Sequence, residues 1–397
     1  MNAREIKLDN INDTIAILKE IGVSSKGVGA MSKKGTSFNI LIQDVVTGAA
    51  NILKQEMLAL GADLAMSSGI VEGNKKNTDV LLLGSRDKIE KLCEKLNNYH
   101  SFYLPQIKLE IEQVLYPTKK DSFKIGNQSL DLSSTKIMGI LNVTPDSFSD
   151  GMKYFDEDKA VQHCLEMIND GADIIDIGGE SSRPGAEPVS LEDEIARVIP
   201  IIKAIRKVSD IPISVDTYKS EVAEKAILAG ASIINDISGL RFDEKMVEIL
   251  RKYPTIPIII MHMKGTPKDM QKNPTYKNVI TELLEFFNER ISFCRSHLIP
   301  KSRIIIDPGI GFGKRLEDNL KIVKNIYQFK SLDVPVLLGT SRKSFIGQIY
   351  NSLPEEREAG TLATTAIAFQ NEIEFVRVHD VKANKQLIET LTAINNK

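Results

Sequence analysis

The chain has 397 residues, 42% of them hydrophobic and 26% charged, and a formal net charge of -2. That length predicts two domains, or one large barrel with an appendage, and the apolar content suffices for a sizeable core. A near-neutral balance without a basic stripe argues against nucleic acid as a partner, and no window nears the roughly 20 apolar residues of a membrane span.

The first residues, Met1 to Asp9, lack the apolar stretch of a secretion signal. Cys93, Cys164 and Cys294 are scattered without Cys-x-x-Cys spacing, which fits reduced thiols in a cytoplasmic protein and not a disulfide frame or zinc site. Residues 1–116 then read as a small α+β domain. Asp13 to Ile21 is helical in pattern, Ser37 to Gln43 strand-like, and Thr47 to Leu60 helical with Ala49, Leu53, Met57 and Leu60 on one face. Leu64 to Val71 and Asp79 to Leu83 are expected to pair across a polar turn, with helices following at Arg86 to Asn97 and Pro105 to Leu115. Residues 117–121, within Tyr116-Pro117-Thr118-Lys119-Lys120-Asp121, form the expected linker.

Residues 122–397 are more regular. Phe123 to Ile125 and Leu130 to Leu132 flank Gly126-Asn127, a hairpin signal. Eight short β-branched runs follow: Ile137–Leu141, Ile174–Ile177, Ile213–Val215, Ile233–Ile234, Ile258–Met261, Ile304–Ile306, Val336–Leu338 and Phe375–Val378. Amphipathic stretches such as Leu191–Val208, Lys219–Ala229, Asn278–Ser296 and Leu316–Phe329 fill the gaps. Ser190 is placed to cap the first of these, and Pro200 inside it predicts a kink. Eight β-then-α units predict a (β/α)₈ TIM barrel of the α/β class, preceded by the small α+β domain.

Polar residues follow nearly every run: Asn142, Glu180, Asp216, Asn235, His262, Asp307, Ser341-Arg342-Lys343 and His379-Asp380. Such residues start turns in any protein, but a barrel gathers its strand ends on one face, where active sites are built. Asp216, Asn235 and Asp307 would offer rigid acceptors and an amide to a flat heterocycle with several N–H donors, and Lys343 a donor to a ring carbonyl. Arg377 and His379, two apart on one strand, should face the same side and suit a phosphate or diphosphate. Asn142 is an oxygen ligand acceptable to Mg²⁺ beside waters and phosphate oxygens. His262 in Met261-His262-Met263 reads as structural. The run Gly309 to Lys314 lacks P-loop spacing and reads as a close turn.

Several of these segments resemble the signature motifs of the dihydropteroate synthase family. Asn142-Val143-Thr144-Pro145-Asp146-Ser147-Phe148-Ser149-Asp150-Gly151 is similar to the first loop, and Gly179-Glu180-Ser181-Ser182-Arg183-Pro184-Gly185-Ala186 to the second. Val215-Asp216-Thr217, Asn235 to Gly239, Met261 to Pro267, Asp307 to Phe312, Ser341 to Gly347 and Arg377 to Val381 match in order, over roughly residues 120 to 395. The resemblance implies condensation of a dihydropterin-methyl diphosphate with 4-aminobenzoate, releasing pyrophosphate through a carbocation-like transition state, with Mg²⁺ as cofactor. It implies pterin contacts from Asp216, Asn235, Asp307 and Lys343, and diphosphate contacts from Asn142 (also the metal ligand), Arg183, Arg377 and His379. Phe148, Ser182, Arg183, Pro184, Phe312 and Ser344 would frame the aminobenzoate, and Lys343, Asp307, Arg377 and His379 would carry the catalysis. Both partners are small molecules, and a homodimer is expected by analogy.

Ser182 stands where the family most often has threonine, keeping the hydroxyl. Ile310 stands where many have phenylalanine, which is expected to loosen one wall of the site. Residues 1–116 lie outside the family pattern. Two rivals predict different features. A methyltetrahydrofolate:corrinoid methyltransferase would lack the Ser-Arg-Pro-Gly loop and the Ser-Arg-Lys motif, and a non-catalytic pterin-binding subunit would have lost its diphosphate ligands.

Overall fold

The computed structural model describes residues 3–8, 10–70, 75–117, 120–143, 153–181 and 187–395. The chain divides into two compact units, residues 1–118 and 119–397.

The first unit runs α1 (Ile11–Glu20), α2 (Ser25–Met31), β1 (Ser37–Val46), α3 (Thr47–Ala59), β2 (Asp63–Met66), β3 (Asn77–Ser85), α4 (Arg86–Leu96) and α5 (Leu104–Leu115). The sheet has the order β1-β3-β2 and is antiparallel throughout, with Leu64 opposite Leu82 as the alternating pattern requires. One face of the sheet sends Ile40, Ile42, Val80, Leu82 and Leu64 into a core shared with Leu53 and Met57 of α3 and Ile89 and Leu92 of α4. The short α2 was not apparent in the sequence, because Ser-Lys-Gly-Val-Gly-Ala-Met has two glycines and buries no side chain.

The second unit begins with a hairpin, β4 (Ser122–Ile125) and β5 (Gln128–Asp131), turning at Gly126 with a φ of +58°. A positive φ at the first turn position alone is the type II′ arrangement, for which glycine is the natural residue. Then follow β6 (Lys136–Asn142), α6 (Lys153–Asn169), β7 (Ile174–Gly178), α7 (Leu191–Arg206), β8 (Ile213–Asp216), α8 (Ser220–Ala229), β9 (Ile233–Asp236) and α9 (Met246–Lys252). The chain continues through β10 (Ile258–Met261), α10 (Val279–Ser296), β11 (Ile304–Asp307), α11 (Leu316–Lys324), β12 (Leu337–Leu338), α12 (Ser344–Tyr350), α13 (Glu358–Gln370), β13 (Phe375–Val378) and α14 (Val381–Asn395). The Ser190 hydroxyl accepts from the Asp193 backbone at the start of α7, and the helix continues through Pro200.

Eight parallel strands take the order β11-β10-β9-β8-β7-β6-β13-β12, and a parallel bridge from Ile306 to Val336 joins the two ends. The sheet is therefore closed, a (β/α)₈ barrel. Alternate residues face in and out along each strand. Outward side chains such as Ile175, Ile177, Val215, Ile258 and Ile306 pack against the helices in one continuous core. Inward ones at the strand starts, among them Met138, Ile174, Ile233, Ile259, Ile305, Leu337 and Phe375, form a floor sealed by Phe123, Ile125 and Leu132 of the hairpin segment. Full burial of such a side chain stabilises the fold by roughly 1.5–3 kcal/mol.

Candidate active site

Two residues beyond that apolar floor, the same inward parity delivers polar groups. Ile174 leads to Asp176, Ile233 to Asn235, Ile305 to Asp307 and Phe375 to Arg377. Asn142 and Asp216 close β6 and β8, and pair in register on either side of Gly178. The floor supplies rigidity, and the layer above it carries the chemistry.

A hydrogen-bonded chain crosses this layer. The Arg377 guanidinium donates from Nε to Asp176 at 2.5 Å and from Nη2 to Asp216 at 2.8 Å. Asn235 donates its amide to the same Asp176 oxygen, Oδ2, at 3.2 Å and reaches Oδ1 at 3.4 Å. Asp176 is fully buried and Asn235 nearly so, which makes the chain a fixed scaffold. Asp307 accepts from the Gly309 backbone at 2.7 Å. Lys343 sits with its ammonium 4.0 Å over the ring of Phe312.

Three carboxylates, Asp176, Asp216 and Asp307, thus share a low-dielectric space with two cations, Arg377 and Lys343. Burial raises the Asp216 carboxyl to about 7, against the opposing pull of Arg377. Burial raises Asp307 as well. Lys343 is lowered to about 8 by burial, with the charge of Arg377 adding to the effect. The surroundings of Arg377 hold its proton: burial acts against it, and the Asp176 and Asp216 carboxylates more than compensate. A cluster with more acceptors than donors is complementary to a ligand edge rich in N–H groups.

His379, two residues beyond Arg377, lies at the border of the site. Its Nδ1 is 2.9 Å from the Ser341 hydroxyl, and its backbone N–H donates to the same oxygen at 3.1 Å. Burial and the Arg342 charge lower its pKa to about 3, so the imidazole is neutral at physiological pH. His379 lines a cavity of about 430 Å³ together with His163, Glu166, Asp170 and Lys382. None of Asp216, Asp307 and Lys343 lines that cavity.

The other expected residues divide into three groups. Phe312 is buried beneath Lys343, and Ser344 is exposed at the first position of α12. Phe148, Ser182, Arg183 and Pro184 lie outside the described residues. Ile310 is fully buried in the core between barrel and helices. His262 is buried, and its Nδ1 lies 2.9 Å from the buried ammonium of Lys314.

Three participants were not singled out beforehand. Asp176 interrupts the apolar run Ile-Ile-Asp-Ile-Gly at an inward position, a signal that strand parity could have revealed. Lys314 is almost completely buried and also donates to the Gly309 and Phe312 carbonyls at 2.9 and 3.1 Å. It thereby holds the turn after Asp307, in which Gly309, Gly311 and Gly313 all have positive φ. Lys219 joins Glu180 and Glu194, each at 2.6 Å, to the Val189 carbonyl at 2.8 Å, and so braces both flanks of the second signature loop.

Among the described residues no group of three or more His, Cys, Asp or Glu side chains could hold a metal ion. A Mg²⁺ ion makes a different demand, since it keeps most of its waters and accepts one or two protein oxygens. Asn142 fits that demand. Its Oδ1 faces Gly178, 3.9 Å from where a Cβ there would lie, so the missing side chain leaves space beside the amide. Among the described residues no helix is long and apolar enough to cross a membrane, and Cys93, Cys164 and Cys294 are free and buried.

Known proteins share both the architecture and these motifs. The family model for pterin binding enzymes matches residues 138–379. A dihydropteroate synthase from Clostridium beijerinckii is 51% identical over 265 residues, covering 66% of this chain and 96% of its own. The structure of a Xanthomonas albilineans dihydropteroate synthase with 4-aminobenzoic acid superposes with a TM-score of 0.66 at 40% identity, covering 70% of this chain and 99% of that one. A probable bifunctional folylpolyglutamate synthase/dihydropteroate synthase from Halobacterium salinarum aligns over 98% of this chain, at 35% identity, and over 47% of its own length. Its alignment therefore extends into the first unit. With the match to the family model and the identity to these enzymes, the chain belongs to the pterin binding enzymes, in their dihydropteroate synthase branch.

Proposed function

We infer that this chain is a dihydropteroate synthase, a transferase of folate biosynthesis that joins 4-aminobenzoate to the methylene of a 7,8-dihydropterin-methyl diphosphate and releases pyrophosphate. The observation that carries the assignment of roles is the buried chain Asn235–Asp176–Arg377–Asp216, flanked by Asp307 and Lys343. Asp216, Asn235 and Asp307 receive and orient the N–H edge of the pterin, and Lys343 donates to its carbonyl. Arg377, held flat by two carboxylates, lies against the ring and places one cation near the departing group.

In the reaction the C–O bond to the diphosphate breaks and its electron pair leaves with the phosphate oxygen. The pterin ring spreads the positive charge left on the methylene carbon. The amine lone pair of aminobenzoate forms the C–N bond, and the nitrogen then loses a proton. The protein contributes chiefly by fixed charge around the leaving group. His379, neutral and fixed by Ser341, contributes a hydrogen bond there. Arg183 adds charge, and Asn142 would hold Mg²⁺, which when bound neutralises charge on the phosphate oxygens. Phe148, Ser182, Arg183, Pro184, Phe312 and Ser344 border the aminobenzoate. Buried free thiols fit a cytoplasmic enzyme.

Replacing Asp216 tests the role assignment. Asp216→Ala is expected to weaken binding of the pterin substrate by about 100-fold, the scale of losing a charge-assisted hydrogen bond in a buried site. Circular dichroism should be unchanged. Binding within threefold of wild type, measured by titration calorimetry, would place the pterin elsewhere.

A further inference from the structure

Ser341, Arg342 and Lys343 lie in one tight turn, closed by the Lys343 backbone N–H donating to the Thr340 carbonyl at 3.1 Å. Arg342 occupies the third position with a φ of +56°. Turns with a positive φ at that position favour glycine or asparagine, and other residues pay a conformational cost there. An arginine kept at such a position calls for a compensating contact.

That contact is visible. Arg342 meets Asp380 through two nitrogens, Nη2 to Oδ1 at 2.6 Å and Nε to Oδ2 at 3.2 Å. Asp380 directly follows His379, and Ser341 directly precedes Arg342. Two adjacent links therefore tie the turn after β12 to the end of β13: Ser341 to His379, and Arg342 to Asp380. The bidentate geometry fixes both distance and plane, which a lysine could not do. With its fork on Asp380, the arginine acts through that carboxylate.

We propose that Arg342 is a positioning residue: through Asp380 it locks the turn carrying Lys343 to the strand end carrying His379, so that both reach the pterin diphosphate at a fixed separation. The inference rests on the roles assigned above to Lys343 and His379.

Arg342→Gly removes the fork and also relieves the backbone, so a loss of function would not follow from local strain. Melting temperature, kcat, pyrophosphate affinity and affinity for a pterin lacking the diphosphate are measured on the full chain. The expected result is a melting temperature near wild type, pterin affinity within threefold, and kcat and pyrophosphate affinity each down at least tenfold. Asp380→Asn should behave alike, and the double variant should be no worse than either single one. Arg342→Lys should recover only part of the loss, and together with Asp380→Asn it decides the matter if the glycine variant does not fold. Losses below threefold in Arg342→Gly, or losses that multiply in the double variant, overturn the proposal. If wild-type protein binds no pyrophosphate, it is the underlying assignment of His379 and Lys343 that fails.

Discussion

Asp216 retains its proton up to about 7 in the folded protein, because burial outweighs the attraction of Arg377. The unfolded chain gives up that proton near pH 3.9. Between about pH 4 and 7 the folded state therefore binds more protons, and this residue's contribution to stability declines as pH rises. Asp216→Asn removes the titration. Its melting temperature, relative to wild type, should climb by several degrees between pH 4 and pH 7 in calorimetric scans. Parallel curves would show that the carboxyl is already ionised at the low end. At this scale the site was partly legible from sequence. Asp216, Asn235, Asp307 and Lys343 follow strand runs, where barrel geometry makes polar residues converge. Asp176 was harder to recognise, since a single acid inside an apolar run has meaning only once inward parity and the partner Arg377 are known. Lys314 was hidden for another reason: its partners are backbone carbonyls and His262, which no spacing rule brings together.

Among the elements, the β4–β5 hairpin has a purely mechanical part. Phe123 meets Phe375 edge to face at 6.1 Å and seals the floor on which the polar layer stands. Phe123→Ala should cost about 3–5 kcal/mol, the usual effect of removing a buried aromatic ring. Urea unfolding would measure that loss, while kcat well below the melting point should stay within twofold. A kcat that collapses in a still-folded variant would mean that the floor sets the site geometry directly. The hairpin itself was legible from Gly126-Asn127, and all eight barrel strands from their β-branched runs. Helix α2 was not, because its glycines weaken propensity and it buries no side chain. The stretch read as one helix from Leu316 to Phe329 proved to be α11 followed by a 3₁₀ segment from Ile326 to Leu332. Apolar periodicity continues across that junction, and the change in hydrogen bonding leaves no mark on it.

For the whole molecule, the division into two compact units predicts that the barrel is self-sufficient. The Clostridium beijerinckii relative supports this, since 96% of its length aligns with only 66% of this chain. Removing residues 1–118 should therefore leave a folded protein with kcat within about threefold of full length. A soluble but inactive truncation would assign the first unit a part in the reaction. The central claim concerns the chemistry at the barrel mouth: a leaving diphosphate is exchanged there for an aromatic amine on a pterin methylene. Pyrophosphate release from the dihydropterin-methyl diphosphate, followed with and without 4-aminobenzoate, tests it most directly. Release that requires the amine and matches dihydropteroate formed mole for mole is the predicted result; release at the same rate without the amine, or none with it, would contradict the account.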